Sequence, residues 1–171
     1  MVTVILDIEA MDPAGKIAVG KVCITTSDQA TQLIKGLKFR FYDHKIESMA
    51  ALEDLYPAFE GISECLRPYH QKTKQDFGIA YEGFISIQQE GKYTFHILLP
   101  ETSDIQLSLN DQKVSGNDER KFEVNLKKGM VPFDLKVTFS EGNDMFLPQM
   151  EGPGTSKNIV NANILFARIN N

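Results

Sequence analysis

Between Phe77 and Leu99, FGIAYEGFISIQQEGKYTFHILL, apolar or small residues fall at every second position. Phe77, Ile79, Tyr81, Gly83, Ile85 and Ile87 form one run; Tyr93, Phe95, Ile97 and Leu99 resume it after Gln88-Gln89-Glu90-Gly91. A period of two is the signature of extended chain with one face in a core. The break is short and polar and ends in Gly91, which can take a backbone closed to other residues. The two runs therefore predict a long antiparallel hairpin with an aromatic inner face.

The same period recurs along the chain. Val2–Ala10 alternates, Asp12-Pro13-Ala14-Gly15 turns, and Ile17–Thr25 returns. A lone two-stranded hairpin is marginal in water. Residues 1–28 are therefore either an extension packed on the main domain or the end of a preceding one, and Thr26–Gln32 is the natural linker. Leu37, Phe39 and Phe41 share one face of the next strand. Ser48–Gly61 is the one helical candidate, about two turns, with Ser48 as cap and Pro57 as stop. Glu60–Gln75 shows no clear period and is expected along the surface. Ile105, Leu107 and Leu109 alternate up to a tight-turn pair, Asn110-Asp111. Phe122, Val124 and Leu126 alternate before Lys127-Lys128-Gly129, and Val131 to Phe139 form a second clean strand. Glu141-Gly142-Asn143-Asp144 turns; Met145–Met150 is a strand whose Pro148 suits an edge or a bulge. Glu151-Gly152-Pro153-Gly154 is read as irregular, and Asn163–Ile169 closes the chain. Short strands between turn clusters, without βαβ alternation, predict an all-β protein, an antiparallel β-sandwich of jelly-roll-like form over residues 36–171.

The totals narrow the partners. A formal charge of −5 without basic clusters argues against nucleic acid and anionic membrane surfaces. No apolar run approaches the roughly 20 residues needed to cross a bilayer, so membrane insertion is not expected. Met1-Val2-Thr3 runs straight into a strand pattern instead of a leader, which fits a cytoplasmic protein or a piece of a longer exported one. Cys23 and Cys65 could pair, but two cysteines do not make a disulfide framework.

In order, GLKFRFY, YEGFISIQQEGKYTFHI, LSLNDQKV, LKKGMVPFDLKVTF and MEGPGTSKNIVNANILF form a series that resembles the protective-antigen-type (PA-fourteen) domain over residues 36–168. The matching positions are Gly83, Ile85, Gly91, Tyr93, Thr94 and Phe95, then Leu107, Leu109, Asn110 and Asp111. Leu126, Gly129 and Pro132 follow, and Met150 to Gly154 complete the series. The resemblance implies a non-catalytic β-sandwich that serves as a carbohydrate-binding or accessory domain of a larger glycan-degrading enzyme. The parent would be a glycoside hydrolase, such as a β-hexosaminidase or fucosidase, or a sulfatase, secreted, periplasmic or at the cell surface. Residues 1–28 would then be the last hairpin of a preceding immunoglobulin-like or chitobiase-type domain. The alternative is a structural or dimerisation domain that binds no sugar. Its partner would be the catalytic domain of the same polypeptide, where the first reading takes a glycan.

Sugar-binding members of that family hold calcium through two adjacent aspartates in the loop before the "L-x-I-D-G" strand, a hard-cation site. Here that loop is Pro100-Glu101-Thr102-Ser103-Asp104, with one aspartate. The candidate ligand-binding residues are Glu101, Thr102, Ser103, Asp104, Asn110, Asp111, Asn117 and Asp118. Calcium is the one cofactor implied, with Asp104 and Asp111 as its candidate ligands. Turn chemistry accounts for the same asparagines and aspartates without an ion. There is no Trp to serve as a sugar platform; Tyr42, Tyr56 and Tyr69 are the candidate exposed aromatics, while Tyr93 and Phe95 belong to the core. His44, His70 and His96 stand apart from one another in pattern, His96 on an outer sheet face. Cys23 has no local pattern of a reactive thiol. Glu53-Asp54 and Asp118-Glu119 read as solvated charges. No HxH, HExxH, GxSxG or CxxC spacing occurs.

Overall fold

The computed structural model describes residues 2–11, 17–26, 32–66, 76–117, 120–140 and 145–169, the first two segments as backbone only. Outside this description lie the turn at Asp12-Pro13-Ala14-Gly15, residues 27–31 of the linker, Tyr69, His70, Asp118, Glu119, the turn at 141–144 and the Cys23 side chain. Two compact units result, one of residues 1–32 with 169–171, the other Leu33–Arg168.

In the first unit β1 (Val2–Met11) and β2 (Ile17–Thr26) pair antiparallel along their whole length, Val2 opposite Thr26 and Met11 opposite Ile17. The second unit begins with β3 (Gln32–Lys35), β4 (Leu37–Tyr42) and β5 (Phe59–Ser63), followed by β6 (Phe77–Ile87), β7 (Gly91–Leu98), β8 (Ile105–Leu109) and β9 (Gln112–Val114). It ends with β10 (Lys121–Leu126), β11 (Gly129–Phe139), β12 (Leu147–Gly152), β13 (Thr155–Ile159) and β14 (Leu165–Ile169). Four of these strands form one sheet in the order β10-β7-β12-β13. The larger sheet runs β3-β14-β6-β11-β8-β9, with β4 on β6 and β5 on β4. Their apolar faces meet in one core holding Ile85, Ile87, Tyr93, Phe95, Ile97, Phe133, Leu135 and Val137, all buried. The antiparallel β-sandwich read from the sequence is the fold.

One expectation fails in an instructive way. The two alternating runs of Phe77–Leu99 are strands, but not a hairpin: β6 pairs with β11, from Phe77 opposite Phe139 to Ile87 opposite Gly129, while β7 pairs with β10 and β12. Residues 88–90 carry the chain from one sheet to the other. The short connection after Leu126 does the same between β10 and β11. Alternation reports a buried face; it does not say whether the neighbouring strand lies beside it or across the core.

The helical candidate at Ser48–Gly61 is a single 3₁₀ turn, Ala51–Glu53, followed by β5. Ser48 does meet the turn, its Oγ accepting from Ala51 N at 3.3 Å. One turn is enough because its purpose is to seat Leu52, buried with Tyr42 and Ala80 on the outer face of the larger sheet. Tyr42, a candidate exposed aromatic, is therefore buried, with its hydroxyl donating to Leu52 O at 3.0 Å. Residues 60–63, expected on an irregular surface path, belong to β5, and Leu66 beyond it is buried. Pro148 sits in β12 opposite Ile97, and β12 has a strand on each side; the bulge falls later, between Met150 and Gly152. Proline is tolerated there because its main-chain polar side faces Val160, just past the end of β13, where its carbonyl still accepts from Val160 N at 3.1 Å. Glu151 and Gly152 are strand, not irregular chain, and a 3₁₀ turn, Ala162–Ile164, precedes β14. Gly152 is fixed by close approach, since a Cβ there would run into the Tyr93 ring.

Candidate functional site

At one end of the larger sheet a cleft of about 370 Å³ opens between Lys45, Ile46 and Glu47, Asp76, Thr102 and Asp104, and Thr138, Phe139 and Ser140. Three segments build it. The end of β11 supplies Thr138, and Ser140 follows the strand directly. The segment after β4 supplies the Lys45–Glu47 wall, and it lies so close to the sheet that a Cβ at Gly78 would come within 2.8 Å of Ile46. The 100–104 loop supplies Thr102 and Asp104.

That loop is held from two sides. Ser103 N donates to Pro100 O at 3.1 Å, closing a tight turn. Thr138 N donates to Asp104 O at 3.0 Å, and Asp104 N to Thr138 Oγ1 at 3.2 Å, extending the β8–β11 ladder by one residue. From beneath, Arg120 Nη2 donates to Ser103 O at 2.9 Å and Glu101 O at 3.4 Å. The side chains of Glu101, Thr102 and Asp104 are exposed, whereas Ser103 is buried.

The 3₁₀ turn that follows the Lys45–Glu47 wall is latched to the sheet by charge. Lys136, on the outer face of β11 and nearly buried, donates from Nζ to Glu53 Oε1 at 2.7 Å. That bond, with the ammonium charge, holds the Glu53 carboxyl below its ordinary range. Two residues away burial pushes the Asp134 carboxyl up; Lys136 opposes the shift and Glu82 adds to it. Glu53, read as a plain solvated charge, is thus the surface end of an ion pair.

Of the predicted ligand residues, the structure brings Thr102 and Asp104 into the cleft, with Glu101 and Ser103 in the same loop. It places Asn110 and Asp111 at the other end of β8, Asn110 about 20 Å from Asp104 at the ordinary rise of a strand. There both take positive φ, 52° and 60°, in a two-residue turn joining Leu109 to Gln112. A turn of this kind asks for asparagine, aspartate or glycine on backbone grounds alone. Asp104 and Asp111 therefore cannot share one calcium ion. Among the described residues, no three His, Cys, Asp or Glu side chains gather as metal ligands. Asn117 folds on its own turn, Oδ1 accepting from Lys121 N at 3.0 Å; Asp118 lies outside the described residues. Tyr56 is the exposed aromatic among the described residues and stands apart from the cleft lining. His96 lies on the outer face of β7, as read, and meets Glu151 at 2.9 Å. Cys65 is an exposed free thiol.

Sequence reasoning missed Lys45, Glu47, Asp76, Thr138, Ser140 and Arg120. Thr138 carried no more signal than its place in the polar alternation Asp134, Lys136, Thr138 of β11, where it is buried. Arg120 carried none.

A family model described as the PA14 domain matches residues 63–153, just over half of the 171 residues. No curated protein matches in sequence. Among solved structures, an anti-sigma factor domain-containing protein from Clostridium clariflavum superposes with a TM-score of 0.62 at 14% identity, over 78% of this chain and 47% of its own. The Epithelial Adhesin 6 A domain from Candida glabrata, in complex with Galb1-3GlcNAc, gives 0.54 at 11% identity, over 81% and 89% of the two chains. A PA14 sugar-binding domain from an RTX adhesin gives 0.52 at 10% identity, over 78% and 99%. The chain thus spans about half the length of the first of these, and at such identities the likeness is one of fold.

Proposed function

This chain belongs to the PA14 domain family, and from that premise we propose that it binds carbohydrate without catalysing its conversion, through the cleft lined by Thr102 and Asp104. The observation that carries the reading is the lining itself. Thr102, Thr138 and Ser140, together with Glu47, Asp76, Asp104 and Lys45, line a volume in the range of small-molecule sites. Donors and acceptors so mixed match the hydroxyls of a sugar ring. The adhesin structures give the fold a precedent for glycan contact.

The affinity comes from hydrogen bonds and is weak, because the aromatic member of the lining, Phe139, is buried. Repeated contacts along a polymeric glycan raise it through effective concentration. It needs no calcium, since the loop offers one aspartate where a metal site wants six to eight converging oxygens. We place the domain outside the cell, as an accessory of a longer enzyme acting on glycans, a glycoside hydrolase of the β-hexosaminidase or fucosidase kind or a sulfatase. Titration against a glycan panel with and without a chelator tests the reading. Binding that survives the chelator and falls in Asp104→Asn and Thr102→Ala supports it. Binding abolished by the chelator refutes the metal-free site, and binding to no glycan leaves the domain with a structural or dimerisation role.

A further inference from the structure

Arg120 has the positive φ of 55° that long side chains seldom adopt. Its amide donates to Asn117 O at 2.9 Å and its carbonyl accepts from Ile97 N at 3.2 Å, so the turn is anchored to β7. Held this way, the guanidinium reaches under the 100–104 loop and takes the carbonyls of residues 101 and 103. The residues that follow each of these, Thr102 and Asp104, are the two of the loop that line the cleft. Fixing every second carbonyl below the loop fixes which residues stand above it.

Two further atoms lie buried without a partner among the described residues, Arg120 Nη1 and Ser103 Oγ, the latter on a residue 2% exposed. Buried polar groups nearly always find partners, so the underside of this loop carries more hydrogen-bonding capacity than holding two carbonyls requires. Arginine presents five donors in a rigid fork and stays charged at any working pH, which lysine cannot match in geometry.

We propose that Arg120 is a positioning residue for the cleft, an internal cation that gathers the loop oxygens and so orients Thr102 and Asp104 toward the sugar. The binding half of this rests on the carbohydrate reading above; the positioning half does not. The experiment uses the full chain with Arg120→Gly, which keeps the left-handed backbone and removes the fork, and Arg120→Lys, which keeps the charge. Amide hydrogen exchange at Ser103 and Asp104, melting temperature, and glycan titration with and without added calcium are read together.

In Arg120→Gly exchange at the two amides quickens roughly tenfold or more, the scale of losing a charged hydrogen bond. Added ethylguanidinium slows it again. Arg120→Lys falls between, and glycan affinity drops by a similar factor that calcium does not restore. Unchanged exchange in a folded Arg120→Gly, or failure of ethylguanidinium to rescue it, overturns the positioning role. Equal glycan affinity in wild type and Arg120→Gly overturns its link to binding. A wild type that binds no glycan while exchange responds as described refutes the carbohydrate reading and leaves the hold on the loop established.

Discussion

Phe95→Ala tests whether the two sheets are pressed together where the structure places them. Phe95 is 2% exposed on the inner face of β7, flanked in its own sheet by Phe122 and Met150. Across the core its ring centroid stands 6.5 Å from that of Phe133 on β11. Truncation removes the ring and leaves a cavity whose walls are themselves tied into both sheets, so little collapse is available. The expected loss is about 3–5 kcal/mol. In a domain of this size each kcal/mol lowers the melting temperature by roughly 3 °C, giving a fall of around 10 °C or more. Urea unfolding followed by circular dichroism should show a lower midpoint with an unchanged slope. The cross-sheet contact is tested separately by Phe95→Ala with Phe133→Ala, whose combined loss should miss the sum of the single losses by at least about 0.5 kcal/mol, because the two share one cavity. A single-mutant loss under about 1 kcal/mol, or strict additivity, would refute the packing.

Gly152→Ala forces a methyl group against the Tyr93 ring, which the Tyr93 hydroxyl pins by donating to Gln89 O at 2.7 Å. A loss of about 1–3 kcal/mol in urea unfolding is expected, and none would mean that the ring has room to move. Asp111→Gly relieves a positive φ, so it should hold or raise the melting temperature and leave glycan affinity unchanged; a drop in affinity would return Asp111 to the site. The pH response has two arms of opposite sign. Glu53, with its folded pKa lowered by Lys136, adds stability that is present above its unfolded pKa and lost as pH falls below about 4. Asp134, raised by burial, is a cost when ionised, and that cost is relieved as pH falls through its raised folded pKa. Asp134→Asn should therefore stabilise at neutral pH and flatten the upper arm, and Glu53→Gln should flatten the lower one. Melting temperature against pH for both variants would expose a wrong sign in either.

The strand faces were legible because alternation is a direct record of burial. Val131, Phe133, Leu135, Val137 and Phe139 could only be one face of a sheet, and all are buried. Pairing was not legible. Nothing in the short polar break before Gly91 distinguishes a loop that returns beside its strand from one that crosses to the other sheet, and that ambiguity produced the false hairpin. The missed strands share a different cause. All five residues of β13 are exposed, so it has no buried face to leave a period of two. β9 is three residues long, and β5 is interrupted at Gly61, which fills no face of its own.

The site was half legible, because asparagine and aspartate serve turns and ligands through the same short polar side chain. Asp104 and Asp111 were equal candidates by composition. What separates them is backbone: Asp111 is at φ 60° inside a two-residue turn, whereas Asp104 sits outside any such turn, its amide and carbonyl engaged by Thr138 and its carboxylate exposed at the cleft. The 3₁₀ turn that follows the opposite wall is tied to the sheet by a pair far apart in sequence, Glu53 with Lys136, each an ordinary surface charge when read alone. Arg120 is the extreme case. Its part in the loop is played through carbonyl oxygens, which every residue possesses, so its partners Glu101 and Ser103 are chosen by position alone and leave no mark in the alphabet of side chains. A loop organised in this way keeps its shape under substitutions at 101 and 103 that preserve the backbone, and loses it at a single residue sixteen positions after Asp104.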